Sequence, residues 1–224
     1  MTPTTDHPRP NSEHRQEITC ERLSRSFSMD RFQNTRQPDW EWWSELWPEP
    51  KQILDKLGVS ANQSVADVGS GNGYFTVPVA ELVDPATVYA IDVDANLLEE
   101  LSEEAAERGL SNINCIEGDA RKLSSILPQR VDTILIANTF HGIEQPTLFA
   151  EQVYQSLTPG GRLVIINWHD RSKEQTSIAG KPRGPPTNLR LTPAETREAI
   201  ALVPFADLET VELPPHHYAL IYKQ

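Results

Sequence analysis

Cysteine is scarce: Cys20 and Cys115 are the two in 224 residues, and they are far apart. That excludes a disulfide scaffold and a thiolate metal cage, and leaves two reduced thiols in a reducing cytoplasm as the plain reading. Basic residues are also few. Lys plus Arg number 20 against 32 Asp plus Glu, for a net charge of −12. A broad phosphate-binding face is therefore not expected, and nucleic acid is not the expected partner. A small basic pocket inside an acidic shell stays compatible with that balance. Long apolar runs are missing, so no membrane span is expected. The opening MTPTTDHPRPNSEHRQEITCERL has no apolar h-region and too many acids for a transit peptide. The expectation is a cytoplasmic protein. No His, Cys or carboxylate spacing suggests a metal centre, and no internal repeat is visible. Nothing in the sequence indicates an oligomeric state.

Proline, by contrast, is plentiful at 18 and unevenly placed. Residues 1–36 are polar with little periodicity, and read as a disordered or weakly ordered leader. Met29, one of two methionines, lies just before the composition changes and is an alternative start. Residues 37–224 read as one domain, beginning with N-terminal helices over 37–58. There Trp40, Trp43 and Trp47 fall on one helical face. Such a stripe either packs on a core or roofs a pocket, and core packing is the commoner use. From Ser64 onward, apolar strands alternate with amphipathic helices. Strands are expected at 64–68, 87–91, 113–116, 131–137 and 162–167, with helices at 74–83, 94–108, 120–127 and 145–157 between them. A polar insert spans 170–191. Thr192 is placed to cap a helix that Pro193 opens. Two last strands, 208–213 and 216–222, flank Pro214-Pro215. This is an α/β fold with a parallel sheet covered on both faces and one antiparallel strand at the end.

In such a sheet, ligands bind beyond the carboxyl ends of the strands. The first strand runs into Asp67-Val68-Gly69-Ser70-Gly71-Asn72-Gly73. Alternate glycines allow a tight turn and a close backbone approach. A dinucleotide fingerprint needs a further Gly or Ala at position 74, where Tyr74 stands, so hydride chemistry is disfavoured. After the second strand, Asp92 can accept ribose hydroxyls. After the third, Asp119 in Gly118-Asp119-Ala120 can accept from a purine amino group, or can simply cap the next helix. Together the three ends describe a nucleoside with a polar, non-phosphate tail.

These runs, with Leu157-Thr158-Pro159-Gly160-Gly161, resemble class I S-adenosylmethionine-dependent methyltransferases, in the small-molecule branch that includes the ubiquinone and menaquinone C-methyltransferases. The resemblance covers the chain from about Pro38 onward. It implies a Rossmann-like, doubly wound, seven-stranded sheet of order 3-2-1-4-5-7-6 with strand 7 antiparallel. It implies S-adenosylmethionine as cofactor, with Asp67, Gly69 and Gly71 at the methionine end, Asp92 at the ribose, and Asp119 with Ala120 at the adenine. Asn138, at the end of the fourth strand, would sit beside the methyl group. Asn138 and His141 are the catalytic candidates. His141 is either a general base with a pKa near neutrality or a histidine that hydrogen-bonds a loop.

Trp168 and His169 end the fifth strand and are candidate acceptor contacts. The insert that follows carries Arg171, Lys173, Lys181, Arg183 and Arg190 against one acid, Glu174. Arg183 and Arg190 either clamp an anionic group on a small-molecule acceptor or merely offset an acidic surface. The expected activity is methyl transfer to a small molecule. A cofactor-binding regulatory module without chemistry has the same strand-end residues and remains open.

Overall fold

The computed structural model describes residues 40–224. The leader, Cys20 and Met29 lie outside the described residues. Helices α1 (Trp40–Leu46) and α2 (Pro50–Lys56) come first, followed by β1 (Val65–Val68), α3 (Thr76–Val83), β2 (Val88–Asp92), α4 (Ala95–Glu107) and β3 (Ile113–Glu117). The chain continues through α5 (Leu123–Ile126), β4 (Val131–Ala137), α6 (Pro146–Ser156) and β5 (Leu157–Trp168). The insert contributes β6 (Ser177–Ile178) and β7 (Lys181–Pro182), and α7 (Pro193–Ile200), β8 (Ala206–Leu213) and β9 (His217–Lys223) finish the chain.

The main sheet has the order β3-β2-β1-β4-β5-β9-β8. Leaving out the two insert strands, this is the expected 3-2-1-4-5-7-6. The five strands β1–β5 are mutually parallel, and β9 runs antiparallel to both β5 and β8. Period-two alternation divides the core. Leu135, Val164 and Ile166 face one layer with Trp43, Trp47, Leu54 and Val79, while Ile134, Ile136, Leu163 and Ile165 face the other with Phe149, Val153 and Ile200. Helices α1–α3 therefore cover one face and α6 and α7 the other. Helix α4 joins the first face, packing Leu98 and Leu101 on Val77 and Ala90.

Local chemistry explains the element ends. Asp94 caps α4 by accepting from Asn96 N at 3.0 Å. Thr192 and Glu195 form a reciprocal capping box on α7, with Pro193 in its first turn. Some boundaries differ from expectation. Helix α3 starts at Thr76, two residues late: Val77 N donates to Gly73 O and Val79 N to Phe75 O, but Pro78 has no N–H for the bond between them. Strand β5 starts at Leu157, because Leu157 pairs with Val131 before the chain irregularly resumes register at Thr133 and Arg162. Gly160, at φ 81°, sits within that irregularity.

The insert is built rather than loose. Arg190 is 5% exposed and donates to the carbonyls of Pro185 (3.2 Å), Arg171 (3.0 Å) and Arg183 (2.9 Å), and to Thr176 Oγ1 (2.9 Å). Its guanidinium also lies 5.1 Å from the centre of a Trp168 ring. One planar fork thus gathers four segments of the insert onto the end of β5.

Candidate functional site

A cleft of about 1110 Å³ opens beyond the carboxyl ends of the parallel strands. Sheet order arranges its walls. Asp119 follows β3, Asp92 ends β2, Gly69 and Gly71 follow β1, Asn138 follows β4 and Trp168 ends β5, with Lys173 and Arg183 of the insert beyond. From β3 to β5 is four strand spacings, roughly 19 Å.

The glycine loop is held at both ends. Gly69 N and Ser70 N donate to Ile91 O at 2.8 and 3.1 Å, and Gly71 N donates to Asp92 Oδ2 at 2.9 Å. A Cβ on Gly69 would lie 2.4 Å from Thr139 Oγ1, and one on Gly73 would lie 2.3 Å from Leu101 Cδ1. Glycine is thus needed at 69 for the β4 loop to approach, and at 73 for α4 to approach. Both also have positive φ, of 75° and 98°. Asp92 spends one oxygen on Gly71 and the other on Asp94 N at 3.0 Å, and keeps further lone pairs toward the cleft.

Asp67 does not line the main cleft. It is 2% exposed, beside a recess of about 20 Å³ shared with Trp43, Ser70 and Tyr74. Thr76 Oγ1 donates to it at 2.6 Å. Burial pushes its pKa up to about 7 despite that bond, with the Asp92 charge adding to the rise. A positive group brought near Asp67 would find a carboxyl ready to ionise.

Asp119 caps the short 3-10 turn Ala120–Lys122 through Arg121 N at 2.9 Å. It also pairs with the Arg121 guanidinium, which holds its pKa below the usual carboxylate range. Asp119 is thus a cap, and it also lines the cleft with Ala120.

Asn138 has φ 57°, and neither Oδ1 nor Nδ2 finds a partner although both are buried. Asparagine tolerates that backbone better than most residues. A buried amide with both functions unused, on the wall of a cleft, suits a ligand that offers a donor and an acceptor. His141 Nδ1 is likewise buried without a partner. The near-neutral pKa that the general-base reading of His141 requires does not hold. Burial, reinforced by the Arg190 charge, draws it down to about 4. The imidazole is neutral at pH 7 and is a weak proton acceptor; it can still donate or accept a hydrogen bond.

The acceptor candidates separate. Trp168 lines the cleft, wedged between Gly184 and Arg190 on one side and His217, whose ring centre is 4.1 Å away. His169 turns the other way and meets Glu212 Oε2 at 2.9 Å. Consecutive strand residues face opposite sides, so Trp168 and His169 do not share a pocket. Arg183 reaches the cleft wall together with Lys173. Arg190 does not reach it, since its donors serve the insert. Of the tryptophan stripe, Trp43 and Trp47 are buried in the core, and Trp43 also lines the cleft, so packing and roofing coincide. Tyr74, the residue that departs from the dinucleotide pattern, stacks on Trp43 at 5.4 Å. Among the described residues no group of three or more potential metal ligands occurs, and no helix is long and apolar enough to cross a membrane.

The sequence reading missed Arg121, which lines the cleft beside Asp119. Arg121 stands two residues after a cap, where a side chain can fold back on the capping carboxylate.

Comparison with known proteins fits this geometry. The pattern of a family described as "Methyltransferase domain" matches residues 59–192. A demethylmenaquinone methyltransferase of Anoxybacillus flavithermus is 25% identical over 118 residues, which are 52% of this chain and 49% of that protein. A probable cobalt-precorrin-6B C(15)-methyltransferase (decarboxylating) of Saccharolobus solfataricus is 31% identical over 114 residues, 50% of this chain and 56% of the relative. The chain thus spans about half the length of these relatives. The crystal structure of a SAM-dependent methyltransferase from Aquifex aeolicus superposes with a TM-score of 0.69 at 24% identity, covering 80% of this chain and 91% of that one. The strand order, the glycine loop tied to Asp92, and a family match over more than half of its length place this chain among the class I S-adenosylmethionine-dependent methyltransferases.

Proposed function

We propose that this chain moves a methyl group from S-adenosylmethionine to a small molecule that carries a carboxylate, phosphate or similar anionic group. The carrying observation is the polarity of the cleft: carboxylates Asp92 and Asp119 stand at one end, and Lys173 and Arg183 at the other. A nucleoside suits the first end, and an anion suits the second.

The residues fit the cofactor. Asp92 offers acceptors for ribose hydroxyls, and Asp119 with Ala120 borders the purine position. Gly69 and Gly71 admit close backbone approach, and Asp67 lies behind them to balance an ammonium. When bound, S-adenosylmethionine supplies an electrophilic methyl on a sulfonium. Asn138, midway along the rim, is positioned to orient the nucleophile through its unused amide. His141, held neutral, serves as a hydrogen-bond partner rather than a strong base. Trp43 and Trp168 exclude water from the middle of the cleft, and Arg183 with Lys173 fixes the acceptor's anionic end. Alignment and desolvation then carry most of the acceleration.

The test uses methyl-labelled cofactor with a small-molecule extract. Label should pass to acidic metabolites. Arg183→Ala should lower kcat/KM about tenfold or more, the scale of a lost charge-assisted bond, while leaving cofactor affinity within twofold. Label passing equally well to neutral acceptors in both proteins would remove the anionic-acceptor reading.

A further inference from the structure

Asp119 is already engaged. Its Oδ1 accepts from Arg121 N and Nε, both at 2.9 Å, and its Oδ2 accepts from Arg121 Nε at 2.8 Å and Nη2 at 2.6 Å. Arg121 and Asp119 both line the cleft, with side chains 52% and 33% exposed. A purine amino group that donates to Asp119 therefore competes with a guanidinium for the same two oxygens. A second carboxylate stands within electrostatic reach of Arg121. The Glu144 charge adds to the Asp119 contacts in favouring the cationic form of Arg121, and Glu144 Oε1 is buried with no hydrogen-bond partner. A buried carboxylate oxygen without a donor is costly, so a cation arriving there is stabilised.

We propose that Arg121 is a latch on Asp119 which a bound aminopurine displaces, and that Glu144 is the second seat that receives it. The proposal rests on the cofactor assignment above. The backbone bond from Arg121 N survives the exchange, because only the side chain swings, so Asp119 remains a cap in both arrangements. The latch lowers net affinity for the purine by the strength of the exposed ion pair. In return it keeps the carboxylate from presenting an unpaired charge at the cleft. A 6-oxopurine, which lacks the amino donor, gains nothing from displacing Arg121.

The test is calorimetric titration with S-adenosylhomocysteine and with its deaminated counterpart, S-inosylhomocysteine. An exposed ion pair of this kind corresponds to about two- to fivefold in affinity. Arg121→Ala should tighten S-adenosylhomocysteine by that factor and leave S-inosylhomocysteine unchanged or weaker, so preference for the amino ligand rises. Glu144→Gln should weaken the adenosyl ligand two- to fivefold without touching the inosyl one. A preference that stays level or falls in Arg121→Ala overturns the latch, and makes Arg121 a residue that merely positions Asp119. An unchanged adenosyl affinity in Glu144→Gln overturns the second seat. Failure of the wild-type chain to bind either ligand would overturn the cofactor assignment itself, and the latch with it.

Discussion

Tyr74 points its hydroxyl at the carbonyl of Trp47, 2.5 Å away, with the Trp43 carbonyl at 3.0 Å as the longer arm of the same hydrogen. The residue that follows the glycine loop is thereby the anchor for the end of α1. Stacking of the Tyr74 ring on Trp43 reinforces the contact. Burial raises the Tyr74 pKa to about 12, so the hydroxyl remains a donor throughout the physiological range. Tyr74→Phe should keep the stack and lose the bond. The expected loss is about 1–3 kcal/mol, since the Trp47 carbonyl loses the Tyr74 donor, while the Trp43 carbonyl keeps Trp47 N at 2.8 Å. Denaturant midpoints measure it. An unchanged midpoint would mean that α1 is held by its tryptophans alone.

Asp67 should make stability fall as pH rises. Its folded pKa of about 7 lies above the ordinary 3.8. The folded state therefore binds the proton more tightly than the unfolded chain does. The favourable contribution is fully present below about pH 4 and is lost as pH climbs through 7. Asp67→Asn keeps an acceptor for Thr76 and removes the ionisation. The variant should match wild type near pH 4 and exceed it above pH 7 by on the order of 4 kcal/mol, three units at 1.36 each. Taking the difference between the two proteins at each pH isolates Asp67 from His141, whose lowered pKa acts in the acid range. A difference independent of pH would refute the assignment.

His141 should titrate far below the usual histidine range. Its ring proton resonances should move with a midpoint near pH 4. Turnover of His141→Gln should show the same pH profile between 6 and 8 as wild type, because the imidazole carries no charge to lose there. A midpoint between 6 and 7 would restore the general-base role.

Arg190→Lys should loosen the insert. Lysine has no planar fork and cannot serve Pro185, Arg171, Arg183 and Thr176 together. Amide exchange over 171–190 should speed up at least tenfold, while the sheet amides keep their protection. Unaltered exchange would show that Arg190 is incidental to the insert.

Much of the fold was legible because it rests on local signals. Val131–Ala137 reads as a strand from its apolar run alone, and Thr192-Pro193 announces α7. The strand order came through resemblance, since no periodicity says which strands are neighbours. The strand-end residues Gly69, Gly71, Asp92, Asp119 and Asn138 were legible from topology, which sends every parallel strand to one rim. The insert was not. Its hairpin turns through Ala179 and Gly180, at φ 54° and 70°, and alanine gives no warning of a left-handed backbone. Arg190 read as either an acceptor clamp or a surface cation, and is neither, because burial of a charge depends on carbonyls brought together from elsewhere in the insert. His169 could have been set aside at once, because it alternates with Trp168.

The central claim is that the ends of β1, β2 and β3 hold S-adenosylmethionine, with Asp92 carrying the ribose. Calorimetric titration of the wild-type chain and Asp92→Ala with S-adenosylhomocysteine and NAD tests it most directly. The account predicts that the wild type binds S-adenosylhomocysteine and prefers it to NAD. It also predicts a loss of roughly tenfold or more in Asp92→Ala, the scale of removing a charged acceptor and the clasp on Gly71. Tighter binding of NAD, or an Asp92→Ala protein that binds S-adenosylhomocysteine as the wild type does, would contradict it.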